Sequence, residues 1–154
     1  MLHLIPAPLH RAVMPLGYVL RRAYLQLVRP RIAGVAVFIE DAEGRVLLIR
    51  QSYGTRAWTM PAGGAKRSED PEPAIRREVR EELGCELHAL EVIYQAEERL
   101  HGAPHQVCVF RARATGEPVA DRREVLEARW FALDDLPESM TRTARRRIDL
   151  LQQR

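Results

Sequence analysis

The chain has 154 residues, of which 46% are hydrophobic and 29% are charged, and this composition fits one globular domain with a substantial core. Its two cysteines, Cys85 and Cys108, form neither a CxxC pair nor a zinc-ligand spacing, which argues against a disulfide framework or a zinc centre. No apolar run is long enough to predict a membrane-spanning helix, and early prolines interrupt any signal-peptide pattern. We therefore expect a cytoplasmic protein in which each cysteine is a small apolar residue of a strand.

The basic charge is concentrated at the N-terminus. The net charge is +3, but residues 1–39 contain five arginines and no acid, which leaves 19 basic and 21 acidic groups in residues 40–154. Residues 1–31 are predicted to form an amphipathic helical extension, with Pro15 in its first turn and Pro30 beyond its end. Apolar side chains at helical spacing form its stripe: Leu16, Val19, Leu20, Ala23, Tyr24, Leu27 and Val28.

Three kinds of partner remain open for this extension. Its apolar stripe favours docking on the domain itself or on a second subunit of a homodimer. Arginines beside an apolar stripe also suit an anionic membrane surface, which would make the protein membrane-peripheral. Nucleic-acid binding is the least favoured, because one short basic face without a docking motif is a weak indication.

The rest of the chain, residues 32–154, reads as one domain of alternating strands and helices. The first two strands are joined by turn residues and predict a hairpin, and a short extended piece at 58–60 stops at Pro61. Strand-like composition occurs at 32–40, 45–50, 86–97, 105–114 and 128–131, with a turn near 102–104. The tail from Glu138 is predicted to be helical, with its arginines largely solvated: Arg142, Arg145, Arg146 and Arg147.

A central helix is predicted over Pro71–Leu83. Asp70 is a suitable N-cap, Pro71 a suitable first residue, and Gly84 a suitable C-terminal stop. Upstream of this helix, the Gly63-Gly64 pair predicts a flexible turn. The glycine turn and the helix frame the most informative spacing in the chain.

That spacing places three carboxylates on one helix next to the glycine turn. The pattern is Gly63, Glu69, Arg77-Glu78-Val79, Glu81-Glu82 and Gly84. It resembles the signature of the Nudix hydrolases, in the MutT-like and ADP-ribose-pyrophosphatase-like branches, and departs from it only at Cys85, where the family usually has Ile, Leu or Val. The resemblance covers about residues 32–150 and implies the Nudix fold, an α/β/α sandwich around a mixed sheet.

A helical wheel separates the three carboxylates. At 100° per residue, Glu82 lies about 20° and Glu78 about 60° from the core-facing Ile75, so both fall at the edge of the apolar face. Glu81 lies further round, toward solvent. Glu78 and Glu82 are one turn apart and can reach one ion. The alternative is that all three are surface acids paired with neighbouring arginines, which the glycines and Glu69 make less favoured.

The resemblance implies roles for these residues. Glu78 and Glu82 would be the main Mg²⁺ ligands, with Glu81 assisting, a backbone carbonyl of Ala62 or Gly63 completing the shell, and Mn²⁺ as a substitute ion. Glu69 would be held by Arg77, orienting the loop against the helix. Gly63 would let the backbone approach the metal and phosphates.

The general base is a separate question, because in this family it is either a glutamate of the signature or one from a later loop. Glu124 is favoured, since residues 123–131 resemble the segment that leads into the family's late strand. Glu98 and Glu117 are the other candidates.

The expected function is Mg²⁺-dependent pyrophosphohydrolysis of a nucleoside diphosphate linked to another moiety. Met60-Pro61-Ala62-Gly63 resembles a turn of ADP-ribose pyrophosphatases, so nucleotide sugars such as ADP-ribose, together with (deoxy)nucleoside triphosphates, are the expected substrate classes. The alternative is a catalytically weak nucleotide-binding or regulatory module of the same fold. Because all the glutamates of the signature are present, the enzyme is favoured.

Overall fold

The computed structural model describes residues 7–66 and 68–152. It contains helices on both sides of one mixed sheet. The helices are α1 (Ala7–Val28), α2 (Pro71–Leu83) and α3 (Arg142–Gln152). The strands are β1 (Ile32–Glu40), β2 (Val46–Gln51), β3 (Trp58–Thr59), β4 (Ala62–Gly64), β5 (Glu86–Leu100), β6 (Ala103–Thr115) and β7 (Val125–Phe131).

The sheet has the order β3-β2-β1-β6-β5, with β4 paired to β1 and β7 paired to β2. β1 and β6 run parallel, while the pairs that β2 and β5 form are antiparallel. The predicted hairpin of β1 and β2 is confirmed at its turn, where Glu40 pairs with Val46. Beyond that point the two strands diverge, which makes room for β4 against β1 and for β7 against β2.

The strand alternation of β1 divides the core into two layers. Val35, Val37 and Ile39 face α2 and pack in the cluster that contains its apolar stripe, Ile75, Val79 and Leu83. Ala36 and Phe38 face the other side, where Ala144 and Ile148 of α3 cover the sheet. Because successive side chains of a strand point to opposite faces, a single hydrophobic strand serves both layers. The expected α/β/α sandwich is confirmed.

α2 begins and ends where the sequence predicts. Gly84 adopts the left-handed conformation at φ 64°, and its N–H donates to the Arg80 carbonyl, which closes the last turn. Asp70 occupies the N-cap position as predicted, although its carboxylate makes no cap hydrogen bond. Its backbone carbonyl instead accepts from the Ala74 N–H at 3.1 Å.

The prediction of a flexible turn at Gly63-Gly64 is wrong. These residues form β4, which pairs antiparallel with β1 through Gly34↔Gly64, Val35↔Gly63 and Ala36↔Ala62. The sheet therefore fixes the position of the glycine pair beneath α2. The later strands match their predicted places and are longer than expected, because the register of β5 and β6 continues to the Leu100↔Ala103 pair.

α1 differs most from its expectation. It begins at Ala7, so Pro15 lies inside the helix and not in its first turn. The apolar stripe faces solvent: Leu20 is 62% and Leu27 86% exposed, whereas Leu25, from the opposite side, is buried at 3%. The helix therefore contacts the domain through the side that carries Tyr18, Arg21 and Leu25.

The tail is helical as predicted, although α3 begins at Arg142. Arg147 is a correction, because it is 7% exposed and not solvated. Its guanidinium lies 3.3 Å from Glu98, which also pairs with Arg146 at 2.7 Å. Within the described residues, no helix is long and apolar enough to cross a membrane.

Candidate active site

The three carboxylates of α2 differ sharply in exposure. Glu82 is buried at 5% relative exposure, whereas the side chain of Glu78 is 17% exposed and that of Glu81 is 52% exposed. This order is the one that the helical wheel predicts. One carboxylate oxygen of Glu82, Oε2, is buried without a hydrogen-bond partner among the described residues. A buried carboxylate in this condition requires either a proton or a cation.

Burial raises the pKa of Glu82 to about 9, and the negative charges of Glu78 and Glu124 add to the effect. Asp121 and Glu81 contribute in the same direction. The structure thus brings four further acids close enough to Glu82 to disfavour its ionised form. A concentration of negative charge at a buried carboxylate is typical of a functional site.

β4 supports Glu78 by the absence of a side chain at Gly63. A Cβ built on Gly63 would collide with the carboxylate of Glu78. The family resemblance implies that this glycine makes room for metal and phosphate. The structure gives that space to the Glu78 side chain, which therefore lies against the backbone of β4.

Glu69 and Arg77 form the expected bidentate pair. Arg77 Nε and Nη2 lie 3.0 Å and 2.9 Å from the two Glu69 oxygens, and Nη2 also donates to the Gly64 carbonyl at 3.1 Å. The Glu69 carboxylate further accepts the Lys66 N–H at 2.8 Å. Hydrogen bonding to Arg77, with that from Lys66, lowers the pKa of Glu69 to about 2. One guanidinium therefore connects the loop before α2, the helix and β4.

Arg77 also contacts the other signature acids. Its Nη1 lies 2.7 Å from Glu78 Oε1 and 3.5 Å from Glu81 Oε2. Glu82 is not among its partners. Arg77 thus orients Glu78 toward β4. It does not contact Glu82, so a proton or a cation would have to stabilise that carboxylate.

Glu124 reaches the cluster through the loop before β7. Asp121 accepts the N–H groups of Arg123, Glu124 and Val125 at 2.9, 3.1 and 2.9 Å, which folds this loop tightly. The loop is attached to the end of α2, where the Asp121 N–H donates to the Glu82 carbonyl at 2.9 Å. The Glu124 carbonyl accepts from Ser52 at 2.8 Å.

The other two candidate bases lie elsewhere. Glu98 is held by Arg146 and Arg147, and Glu117 adds to the effect of Asp41 in raising the pKa of the Arg45 guanidinium. Neither is among the largest causes of the raised pKa of Glu82, whereas Glu124 is. Of the three, the structure brings Glu124 to the carboxylate cluster.

The donor set fits a hard divalent cation. In the part of the chain that the structure describes, no three acidic, histidine or cysteine side chains already surround one point. The reason is visible at Arg77, which draws Glu78 and Glu81 toward itself. The partnerless oxygen of Glu82, one helical turn from the Glu78 carboxylate, is nevertheless the feature that a carboxylate-bound cation needs.

A cavity of about 330 Å³ adjoins the cluster. Ala62, Gly63 and Gly64 of β4 line it, and Tyr53 lines the neighbouring wall. Tyr53 accepts a 2.8 Å hydrogen bond from Gln51, and burial followed by the charge of Glu82 raises its pKa. The far end of the cavity is lined by Glu98, His105 and Arg147.

Some residues of the site were not predicted from the sequence. Asp121 was not singled out, although an Asp two to four residues before a strand is a recognisable turn signal. Gln51 carries no signal of its own, because only the fold brings it to Tyr53. The position of α1 beside the cavity could not be read from its apolar stripe, which faces away.

Several known proteins have sequences similar to part of this chain. An RNA pyrophosphohydrolase of Teredinibacter turnerae is 41% identical over 59 residues, 38% of this chain and 34% of that protein. An isopentenyl-diphosphate Delta-isomerase of Frankia alni is 32% identical over 127 residues, 75% of this chain and 66% of its own length. The chain spans about a third of the length of the first curated relatives it matches.

Solved structures and a family model agree on the fold. The MutT NUDIX hydrolase of Burkholderia pseudomallei superposes with a TM-score of 0.70 at 28% identity, covering 78% of this chain and 97% of that one. The family model described as NUDIX domain matches residues 30–151. This match takes in β1 to α3 and leaves α1 outside. The chain belongs to the Nudix family.

Proposed function

We propose that this protein is a Mg²⁺-dependent pyrophosphohydrolase that cleaves a nucleoside diphosphate linked to another moiety. The observation that carries the proposal is the buried, partnerless oxygen of Glu82, one helical turn from Glu78 and beside Glu124. A structural core does not need such a cluster, because an unpaired buried carboxylate destabilises the fold. A site that binds cations does need it.

We assign each residue a role from its position in the site. Glu82 and Glu78 would hold the Mg²⁺ ions, or Mn²⁺ in their place, and Glu81 and a backbone carbonyl of Ala62 or Gly63 would supply further ligands. When bound, divalent ions neutralise the diphosphate and lower the pKa of a water molecule. Glu124 accepts the proton of the attacking water. Glu69 and Arg77 hold Glu78 in place against β4.

The reaction is hydrolysis of a phosphoric anhydride. Water attacks one phosphorus, the bridging P–O bond breaks, and the products are a nucleoside monophosphate and a phosphorylated fragment, or pyrophosphate where a triphosphate is the substrate. ADP-ribose-like nucleotide sugars and (deoxy)nucleoside triphosphates are the proposed substrates. The relatives named RNA pyrophosphohydrolase and NAD-capped RNA hydrolase support the same bond chemistry, because a pyrophosphohydrolase cleaves a phosphoric anhydride and NAD contains one.

A second candidate function is isomerisation of a prenyl diphosphate. It is favoured by the 32% identity over 127 residues to the isopentenyl-diphosphate Delta-isomerase, a longer match than the 59 residues shared with the RNA pyrophosphohydrolase. An isomerase moves a double bond and leaves the diphosphate intact. The product therefore distinguishes the two functions, since only hydrolysis increases the number of phosphate monoesters.

The test is a hydrolysis screen followed by ³¹P NMR. Substrates are ADP-ribose, NAD, deoxynucleoside triphosphates, a 5′-triphosphate RNA oligonucleotide and isopentenyl diphosphate, each with Mg²⁺ and with EDTA. Glu82→Gln is the test variant and Glu72→Gln the control, because Glu72 lies on the same helix and only pairs with Arg76 at the surface. Turnover that survives EDTA or Glu82→Gln would contradict the mechanism. A wild type that binds nucleotide without turnover would instead be the binding module.

Location and partners follow from the same features. We propose a cytoplasmic enzyme whose exposed α1 stripe contacts either a second subunit or an anionic membrane surface. The support is the exposure of the stripe, of which Leu16, Leu20 and Leu27 are each more than half exposed, at 61%, 62% and 86%. Nucleic acid is not a proposed partner of the helix.

A further inference from the structure

The side of α1 that faces the domain forms a wall of the cavity. Tyr18 lies 5.8 Å from Tyr53 and 6.1 Å from His101, measured between ring centroids, with the second pair edge to face. Leu25 is buried one to two turns further along. α1 lies outside the residues that match the family model, so this wall is a feature of the chain and not of the shared domain.

Arg21 projects from this wall toward β4. Its Nη2 lies 3.9 Å from the position of a Cβ built on Gly64, next to the glycine that accommodates Glu78. Burial lowers the pKa values of His101 and His105, which border the same cavity, and the positive charge of Arg21 adds to this effect together with Arg22 at His101 and Arg147 at His105. Arg21 therefore lines the cavity together with β4 and with the aromatic side chains of Tyr18, Tyr53 and His101.

In the part of the chain that the structure describes, the Arg21 side chain makes no ion pair or hydrogen bond. Arg77 and Arg147, in contrast, are both paired with carboxylates. A guanidinium with five donors that lines a cavity without a protein acceptor is available to an anionic ligand. The diphosphate of the proposed substrate is the anion that the neighbouring carboxylates and their cations would bring there.

We propose that Arg21 binds a phosphate oxygen of the substrate, from the α1 side of the cavity and opposite the carboxylates of α2. The inference rests on the proposed function and extends it to a residue outside the Nudix domain. α1 is then a part of the substrate site, because it completes the phosphate-binding wall that the family domain leaves open. Arg21 is a specificity residue for phosphate groups and takes no part in proton transfer.

The test uses methylenediphosphonate, a diphosphate that cannot be hydrolysed and has no organic group. Its affinity with Mg²⁺ is measured by titration calorimetry on the full chain as wild type, Arg21→Gln, Arg21→Lys and Arg29→Gln. Arg29→Gln removes the same charge, and Arg29 lies just beyond α1, where its Nε faces the Gln26 carbonyl at 3.4 Å. Melting temperatures of all four proteins are recorded alongside.

Loss of a charge-assisted hydrogen bond to phosphate should weaken binding by Arg21→Gln about tenfold or more. Arg21→Lys should recover part of this loss, because it keeps the charge without the planar fork. Arg29→Gln should bind like the wild type. The melting temperature should not change in Arg21→Gln, since the side chain is exposed and has no partner among the described residues.

Equal binding by Arg21→Gln and Arg29→Gln would overturn the inference and leave the proposed function standing. Tighter binding or faster turnover in Arg21→Gln would overturn it as well, since α1 would then obstruct the site. If the wild type hydrolyses a substrate without measurable probe binding, the comparison is made on KM, and an unchanged KM in Arg21→Gln is the contrary result. A wild type that neither binds the probe nor turns over any substrate refutes the proposed function itself.

Discussion

The carboxylate of Glu78 occupies the space that a Cβ on Gly63 would need. Gly63→Ala should therefore displace a proposed metal ligand without introducing charge or polarity. We expect kcat/KM to fall by about a hundredfold, because a shift of about 1 Å in a reacting group can cost that much. The measurement is steady-state turnover of the best substrate in the hydrolysis screen.

Gly64→Ala is the matched control. Gly64 is the next residue of the same strand, but the nearest atom to its Cβ position is the flexible end of Arg21 at 3.9 Å. An alanine there should leave turnover within a few-fold of wild type, because 3.9 Å is an ordinary contact distance. Equal losses at both positions would mean that the strand, and not Glu78, is what the substitution disturbs.

Arg77→Lys should separate geometry from charge at the loop before α2. A lysine keeps the positive charge but cannot contact both oxygens of Glu69 and the Gly64 carbonyl together, as Arg77 does at 2.9 to 3.1 Å. We expect a ten- to a hundredfold loss of activity, the usual effect of disturbing the residues that orient metal ligands. The apparent Mg²⁺ affinity should fall in parallel, as read from the metal dependence of turnover. Arg80→Lys is the control, because Arg80 pairs with Glu86 at the exposed surface. Its activity should remain close to that of the wild type.

Much of the site was predictable because it lies on one helix. The boundaries of α2 follow from Pro71 and Gly84, and the order of burial of its carboxylates follows from 3.6 residues per turn. The Glu69–Arg77 pair followed from the family pattern. These features depend on short separations along the chain, where spacing determines geometry.

What could not be predicted depends on contacts between distant elements. Gly63-Gly64 reads as a turn by composition, yet β1 recruits it as a strand through pairing that spans thirty residues of sequence. Arg147 reads as a solvated tail residue, yet Glu98 of β5 and the face of the sheet bury it. The stripe of α1 predicts an amphipathic helix but not which side meets the domain. Tertiary packing decides each of these outcomes.

Glu124→Gln should identify the general base. Removal of a positioned base typically costs 10²- to 10⁴-fold in kcat, and we expect a loss of that order with little change in KM. Glu117→Gln is the control, because Glu117 acts on Arg45 and is not among the largest causes of the raised pKa of Glu82. Wild-type kcat in Glu124→Gln, or an equal loss in Glu98→Gln, would assign the proton transfer to another group.

The exposed stripe of α1 makes a separate prediction about partners. Leu20→Ser and Leu27→Ser should reduce whichever association the stripe supports, since each removes an apolar side chain that is 62% or 86% exposed. Analytical ultracentrifugation detects a second subunit, and cosedimentation with vesicles of phosphatidylserine and phosphatidylcholine detects a membrane contact. Turnover should not change in either variant, because neither residue lines the cavity. If the wild-type protein is a monomer and does not cosediment with vesicles, both proposed partners are contradicted.

The raised pKa of Glu82 predicts how stability depends on pH. Burial and neighbouring acids raise this pKa to about 9 from a usual 4.5, so the folded protein holds the proton more tightly than the unfolded chain. The associated stability is fully present below the unfolded pKa and is lost as the pH rises through the folded one. In EDTA, the melting temperature should therefore fall from about pH 6 to about pH 9. Glu82→Gln, which cannot ionise, should flatten this slope, whereas Glu72→Gln should keep it. Mg²⁺ should also reduce the slope in wild type, because a cation stabilises the ionised carboxylate that the fold alone disfavours.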